Sequence, residues 1–336
     1  MPVDVYGMRC DDTETQMINT AYILSAGRSG STLLSLMLGA HPDAFAVGEV
    51  SHLPKNVALN TLCMCDSPVR ECPVWKPVIN RMGEILDVDL MQDPYAMNLG
   101  FIQATTVIDH EKMTMGYNLA GQARHASIYL ARRLGIKTDF LPKFREGITQ
   151  TRRLFDVIRD TQSVRMIIDE SKVYVPGIAL YERAPAETRL ILLSRDGRGV
   201  TNSLLRSGMP LRAAVKRWRN YYTRTLQLLE KVPPEHIIRV TYENLATNTE
   251  QELRRISGQL GLDYHADMKS PDQVQHIANG NDTRFRNMRV QLDTRWHDEL
   301  PEEALDYFES VAGSLNRQLN PLTASANPRR ATATGT

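Results

Sequence analysis

The sequence predicts a three-layer α/β fold, with a central parallel sheet covered by helices on both faces and a helical insertion beside it. Three observations lead there. Short runs of β-type apolar residues alternate with helical patterns along the chain. Those runs are continuous rather than alternating, as in strands buried on both faces. Two of them pass directly into polar, glycine-bearing loops that open helices, the βα arrangement of layered α/β domains. At 336 residues the chain can bury roughly 75% of the surface that it exposes when unfolded, so a substantial core is available. Hydrophobic residues make up 42% and charged residues 24%, which excludes a collagen-like, coiled-coil or wholly disordered chain.

Residues 1–18 are polar and aperiodic and read as a flexible arm; 19–322 read as a single domain. The first strand is Ala21–Ser25, followed by the loop Gly27-Arg-Ser-Gly30 and a helix through Thr32–Leu38. A second run is Arg165–Asp169. A third, Arg189–Leu193, leads into Arg195-Asp-Gly-Arg-Gly199 and a helix from about Val200. The fourth, His236–Thr241, precedes a helix from about Asn248 to Leu260. Residues 80–160 are rich in helix formers and hold no clear strand; they read as the insertion. The tail 323–336, with its small polar residues, cannot bury enough apolar surface to offset its ordering entropy and reads as disordered.

Charge and targeting narrow the function classes. Lys and Arg total 40 against 39 Asp and Glu, a net charge of +1, which argues against a general nucleic-acid binder but not against a local basic pocket. The segment 212–224 carries five cations and three aromatics. Helical spacing puts Val215, Trp218, Tyr222 and Thr225 on one face, so an amphipathic helix is expected rather than a nucleic-acid surface. No run of about 18 apolar residues is present to span a membrane. The first twenty residues lack the basic start and apolar run of a secretory leader, so a cytoplasmic protein with reduced thiols is expected.

Ser25-Ala-Gly-Arg-Ser-Gly-Ser-Thr32, between a strand and a helix, reads as an anion-binding loop. Its glycines let backbone N–H groups turn inward, and the helix start adds unpaired donors and partial positive charge. Arg28 adds a cation; Ser29, Ser31 and Thr32 add hydroxyls. The alternative is an ordinary glycine-rich βα turn. The loop departs from the GxxxxGK[ST] pattern of nucleoside triphosphatases, with Ser25 at the first glycine and Ser31 at the lysine. A nucleotide carrying one phosphate and a sulfate suits it better. Arg195, at the carboxyl end of its strand, and Ser203, in the following helix, form a candidate clamp for a separate phosphate; read alone, the same segment also fits an Asp-Gly turn with surface arginines.

Together the two loops resemble the nucleotide-binding motifs of sulfotransferases that use 3′-phosphoadenosine 5′-phosphosulfate (PAPS). The resemblance implies a P-loop-like fold. It implies that Gly27, Arg28, Ser29, Gly30, Ser31 and Thr32 hold the 5′-phosphosulfate, and that Arg195 and Ser203 hold the 3′-phosphate. Val240-Thr-Tyr-Glu-Asn-Leu245 resembles the family stretch whose tyrosine lies near the adenine, which implicates Tyr242. The segment Ala278–Arg284 resembles the loop that closes over the 3′-phosphate, through Gly280, Asn281 and Arg284. The Gly39-Ala-His-Pro-Asp43 and Gly48-Glu49 segments look closest to tyrosylprotein and bacterial small-molecule sulfotransferases, and they imply Glu49 as catalytic base. Asp169-Glu-Ser-Lys172 resembles the Asp-Ser-Ser-Lys stretch of the bacterial relatives and implies Lys172 as a cation that stabilises the transition state, beside Arg28.

The expected reaction is in-line sulfuryl transfer from PAPS to a hydroxyl or amine of a small-molecule, lipid or sugar acceptor, with 3′,5′-adenosine bisphosphate (PAP) as product and no metal required. His52, three residues beyond Glu49, is the rival base. A nucleotide kinase or triphosphatase with a degenerate loop, or a catalytically inactive nucleotide-binding protein, are the alternatives. Cys63, Cys65 and Cys72, in C-x-C-x₆-C spacing, resemble a cysteine segment of bacterial members. Three readings stand for them: packed reduced thiols, a disulfide, or a zinc site completed by His52 or Cys10.

Overall fold

The computed structural model describes residues 17–99, 126–137, 141–270, 275–278 and 290–321. Five parallel strands make one sheet, in the order β2-β3-β1-β4-β5. They are β1 Thr20–Leu24, β2 Ala44–Gly48, β3 Met166–Asp169, β4 Thr188–Ser194 and β5 Ile237–Thr241. Alternation within each strand sends side chains to two cores. Tyr22, Leu24, Ile167, Leu190 and Leu192 pack on one face, and Ala21, Ile23, Ile168, Ile191 and Leu193 on the other. All are buried, which is why the strands read as unbroken apolar runs. This is the three-layer P-loop-like α/β fold that the sequence predicts.

The edge strand β2 adds a fifth member to the four predicted strands. Its Ala-Phe-Ala-Val-Gly composition has few β-branched residues, and a neighbour in the sheet rather than intrinsic preference fixes it. The register between β2 and β3 shifts between Ala46 and Gly48, and Gly48 has φ 66°. That kink turns the chain at the carboxyl edge and sets the direction of Glu49.

Helix α1 (Ser31–Gly39) follows β1 and lies in the core that holds Leu253 and Ile256 of the helix Thr249–Gln259. The opposite face carries α2 (Leu53–Leu59), α3 (Trp75–Leu86), α4 (Pro142–Gln162), α5 (Tyr174–Arg183), α6 (Gly197–Arg206) and α7 (Leu211–Leu229). In α7, Val215, Trp218, Tyr222 and Thr225 are buried, as its helical spacing predicts. Within 80–160 the described residues are helices and turns; Phe144, Leu154 and Phe155 of α4 join the core on the α3 side. Among the described residues no helix is long and apolar enough to cross a membrane. Residues 1–16 of the arm, the tail 323–336, Cys10, and Gly280, Asn281 and Arg284 lie outside the described residues.

Strand order reverses at β1: β2 and β3 lie to one side, β4 and β5 to the other. In open α/β sheets, ligands bind beyond the carboxyl ends of the strands at such a point. The loops after β1 and β4 both open there.

Candidate active site

The loop after β1 is shaped by two residues in left-handed backbone conformation, Arg28 at φ 71° and Gly30 at φ 88°. At Arg28 this costs about 1–2 kcal/mol relative to ordinary backbone, a strain that the surrounding contacts must hold. Gly30 is the N-cap of α1 and supplies no side-chain cap. The first intrahelical bond there is Leu34 N–H to the Gly30 carbonyl, 3.0 Å. The N–H groups of the first turn therefore remain available to an anion. Ser29, Ser31 and Thr32 are buried, and the Ser25 hydroxyl is buried with no hydrogen-bond partner among the described residues. An added Cβ on Gly30 would meet Tyr242 Cδ2 at 2.8 Å, so the Tyr242 ring lies directly over the loop and only glycine fits. Strained backbone, free helix-start donors and an orphaned hydroxyl fit the phosphosulfate end of a nucleotide.

The second loop meets the first. Arg195 Nη1 donates to the Arg28 carbonyl at 3.1 Å. Its guanidinium lies 4.4 Å from the Tyr242 ring centroid and bonds the Asp293 carboxylate at 3.0 Å. Arg195 is 8% exposed and Arg198 7%, so neither is the surface arginine that an Asp-Gly turn alone would leave. Arg198 pairs with the Asp196 carboxylate at 2.6 Å and stacks on Trp296 at 4.1 Å; it supports the loop. Gly199 gives Arg195 its passage, since a Cβ there would stand 3.2 Å from Nε. Ser203 is half-buried in the second turn of α6, and among the described residues no contact joins its hydroxyl to Arg195.

On the other side of the loop, β2 and β3 deliver charged groups. Lys172 Nζ donates to Glu49 Oε1 at 2.5 Å, and both side chains are largely buried. His52 Nε2 stands 3.6 Å from Glu49 Oε2, with half of its side chain exposed. Burial lowers the His52 pKa, against the opposing pull of the Glu49 charge. Deeper in, Glu170 accepts from the Thr32 hydroxyl at 3.4 Å. Asp169 accepts from the Ser171 N–H at 2.7 Å. Both carboxyls are fully enclosed, and burial pushes each up to about 7.

Residues 101–266 match the sequence profile of the sulfotransferase family. Over that stretch, just under half of the chain, the sequence matches the sulfotransferase family. The family's reaction is sulfuryl transfer. The match begins beyond the first loop and takes in Lys172, Arg195, Ser203 and Tyr242. No curated protein matches the chain. Among solved structures, it is similar to the sulfotransferase domain from the curacin biosynthetic pathway, at 19% identity over 89% of this chain and 98% of that one, TM-score 0.49. The sulfotransferase domain of the Synechococcus PCC 7002 olefin synthase is 20% identical over 89% and 96%, TM-score 0.48. Retinol dehydratase, solved with androsterone and the inactive cofactor PAP, is 12% identical over 90% and 82%, TM-score 0.39.

Several supports of the candidate site are silent in the sequence. The Tyr222 hydroxyl, from α7, donates to the Leu193 carbonyl at 2.8 Å, accepts from Ala26 N–H at 3.3 Å, and lies 3.2 Å from Ser29 Oγ. It ties the phosphate loop to the end of β4. Lys172 itself has φ 66°. Its strained turn is held by Tyr221, which donates to the Lys172 carbonyl at 2.6 Å, and by Tyr22, which donates to the Val173 carbonyl at 2.9 Å. Helical spacing marks Tyr222 as core; nothing in the pattern marks the hydroxyls of Tyr22, Tyr221 and Tyr222 as anchors. The fourth zinc ligand is a correction: His52 belongs to the Glu49 cluster, and the imidazole beside the cysteines is His276, whose Nδ1 lies 3.3 Å from Cys72 Sγ. A distance of 204 residues in sequence hid that neighbour.

Proposed function

We propose that this chain is a sulfotransferase that uses PAPS as donor and a hydroxyl or amine of a small-molecule, lipid or carbohydrate as acceptor, with PAP as the released product. The observation that carries the reading is the Lys172–Glu49 contact at 2.5 Å, beside a phosphate loop whose helix-start donors remain available. A base and a cation thus stand together where sulfuryl transfer needs one of each. PAPS, when bound, supplies an activated sulfuryl group on its 5′-phosphate.

Gly27 to Thr32 grip the phosphosulfate through backbone N–H groups and hydroxyls, and the exposed Arg28 side chain adds charge at the lip. Glu49 accepts the acceptor's proton as the new S–O bond forms. The S–O bond to the 5′-phosphate breaks, its electron pair stays on the phosphate oxygen, and Lys172 and Arg28 stabilise the charge that gathers there. Arg195, with Ser203, recognises the 3′-phosphate; Tyr242 braces Arg195 and the loop together. The resemblance of the segment 278–284 also implicates Gly280, Asn281 and Arg284 in holding that phosphate. Residues 19–322 act as one catalytic domain with its acceptor side in 80–160, and the protein works in the cytoplasm on acceptors other than a secreted protein's tyrosine.

The deciding experiment compares thermal melts with PAP and with ADP plus Mg²⁺. A ligand at about 100 times its Kd that binds only the native state adds about 2.7 kcal/mol, a rise of at least roughly 2 °C for a chain of this size. Stabilisation by PAP, followed by turnover of labelled PAPS on an acceptor panel, supports the reading. Stabilisation by ADP and Mg²⁺ alone overturns it in favour of a kinase or triphosphatase.

A further inference from the structure

Three thiols and one imidazole converge away from the phosphate loop. Cys63, Cys65 and Cys72 come from the connection between α2 and α3, and His276 from the segment 275–278. Cys72 Sγ lies 3.7 Å from Cys63 Sγ, 3.7 Å from Cys65 Sγ and 3.3 Å from His276 Nδ1. All four ligand atoms fall within 4.8 Å of one another. A disulfide would hold two sulfurs at about 2.05 Å, so these are separate thiols. Ligands at zinc–ligand lengths around one tetrahedral ion stand about 3.8 Å apart for sulfur to sulfur and about 3.6 Å for sulfur to nitrogen. The observed separations are close to those edges.

We propose that Cys63, Cys65 and Cys72 Sγ with His276 Nδ1 hold a structural zinc ion. Soft thiolates with an imidazole in a tetrahedral set select zinc over hard cations. All four positions come from protein, which is the closed form of a structural rather than a catalytic centre. A two-iron cluster would instead divide the four ligands between two metals. Each thiol gives up its proton to water as the ion binds.

The backbone builds the site without help from the sulfurs. Asp66, at φ 62°, turns the chain so that the Cys63 N–H donates to the Ser67 carbonyl at 2.9 Å. Cys72 is set by its N–H to the Pro68 carbonyl, 2.9 Å. His276 is fixed from both sides: Trp75 Nε1 donates to its carbonyl at 2.6 Å, and Met64 N–H donates to the Ile277 carbonyl at 3.0 Å. Gln275 continues the tie to α1 through the Leu36 carbonyl, 2.8 Å. The ion therefore clamps the segment just before Gly280 to the body of the fold.

The test is elemental analysis of the full chain, purified without chelator and desalted. About one zinc per chain is expected, with loss of most of it in both Cys72→Ser and His276→Ala. Cobalt(II) added to the stripped protein should give the intense thiolate charge-transfer and visible bands of a tetrahedral sulfur-rich site, and these should be missing in Cys72→Ser. Wild-type protein that carries less than about a tenth of an equivalent of zinc and takes up no cobalt overturns the proposal. So does zinc retained by both variants, or iron with acid-labile sulfide in place of zinc. The wild-type measurements decide even if a variant does not fold.

Discussion

Lys172 Nζ lies 2.5 Å from Glu49 Oε1, so the proposed base and the proposed transition-state cation hold each other in place. The two come from loops after different strands, and their meeting depends on the kink at Gly48 and the left-handed turn at Lys172. Replacing Glu49 by Gln keeps a partner for Lys172 and removes only the base. Turnover should fall about 10²- to 10⁴-fold, the usual range for a positioned acid–base group, with PAP binding retained. Lys172→Ala should cost about 2.7–4 kcal/mol in the barrier, as loss of one charge-stabilising donor does. His52→Ala should leave most of the rate, since that ring is half exposed and 3.6 Å from Glu49. Initial rates with labelled PAPS check all three. A fully active Glu49→Gln beside a dead His52→Ala would transfer the base role to His52.

Tyr222 offers a test of the loop that leaves its own residues intact. Its hydroxyl serves Leu193, Ala26 and Ser29 at once, in a buried setting. Tyr222→Phe keeps the packing against Trp218, whose ring centroid is 5.1 Å away, and strips the anchor. Leaving buried groups unpaired costs about 1–3 kcal/mol. A loss of that size in denaturant unfolding is expected, together with weaker PAP binding by calorimetry. Unchanged PAP affinity would mean that the loop holds its shape without α7.

Much of this arrangement was legible in the sequence because it is local. Strand, loop and helix follow one another within a few residues in Ser25–Thr32 and again around Arg195, and both segments fold as they read. What was not legible depends on distant partners. Val173 takes its hydrogen bond from Tyr22, 151 positions earlier, and Cys72 finds His276 across the fold. The edge strand Ala44–Gly48 has too little β preference to announce itself without β3 beside it. The short-range pattern also left Arg195 ambiguous between surface and site. Its burial against the ring of Tyr242, a partner distant in sequence, resolves that.

The buried carboxyl of Glu170 predicts a pH dependence of stability with a definite sign. Burial raises it to about 7 from its ordinary value of 4.5. Between those values the folded state holds the proton more tightly than the unfolded state, so stability falls as pH rises and levels off above about 7. The full effect of one such group is about 3 kcal/mol. Asp169, raised for the same reason, acts in the same direction. Glu170→Gln keeps an acceptor for Thr32 and removes one titration. Its stability relative to wild type should therefore grow from pH 5 to pH 8, with a residual slope left by Asp169. Urea midpoints across that range measure it; a difference that does not change with pH would place the Glu170 carboxyl near its ordinary value.

Asp293 sits where an anion is expected. Its carboxylate bonds Arg195 at 3.0 Å and Arg295 at 2.8 Å, and these guanidinium groups, Arg295 foremost, hold its pKa well below the ordinary carboxylate range. It remains charged at any working pH and competes for the guanidinium assigned to the 3′-phosphate. Asp293→Asn keeps a hydrogen-bond acceptor for Arg195 and removes the competing charge. Affinity for PAP should rise about two- to fivefold, in line with the worth of one partly exposed ion pair. Adenosine 5′-phosphate, which lacks the 3′ group, should bind the variant and the wild type alike. Arg195→Ala should do the reverse, weakening PAP strongly and the monophosphate little. Calorimetry with both nucleotides separates the cases: if Asp293→Asn changed both affinities equally, the carboxylate would be shaping the whole crevice rather than standing in for the 3′-phosphate.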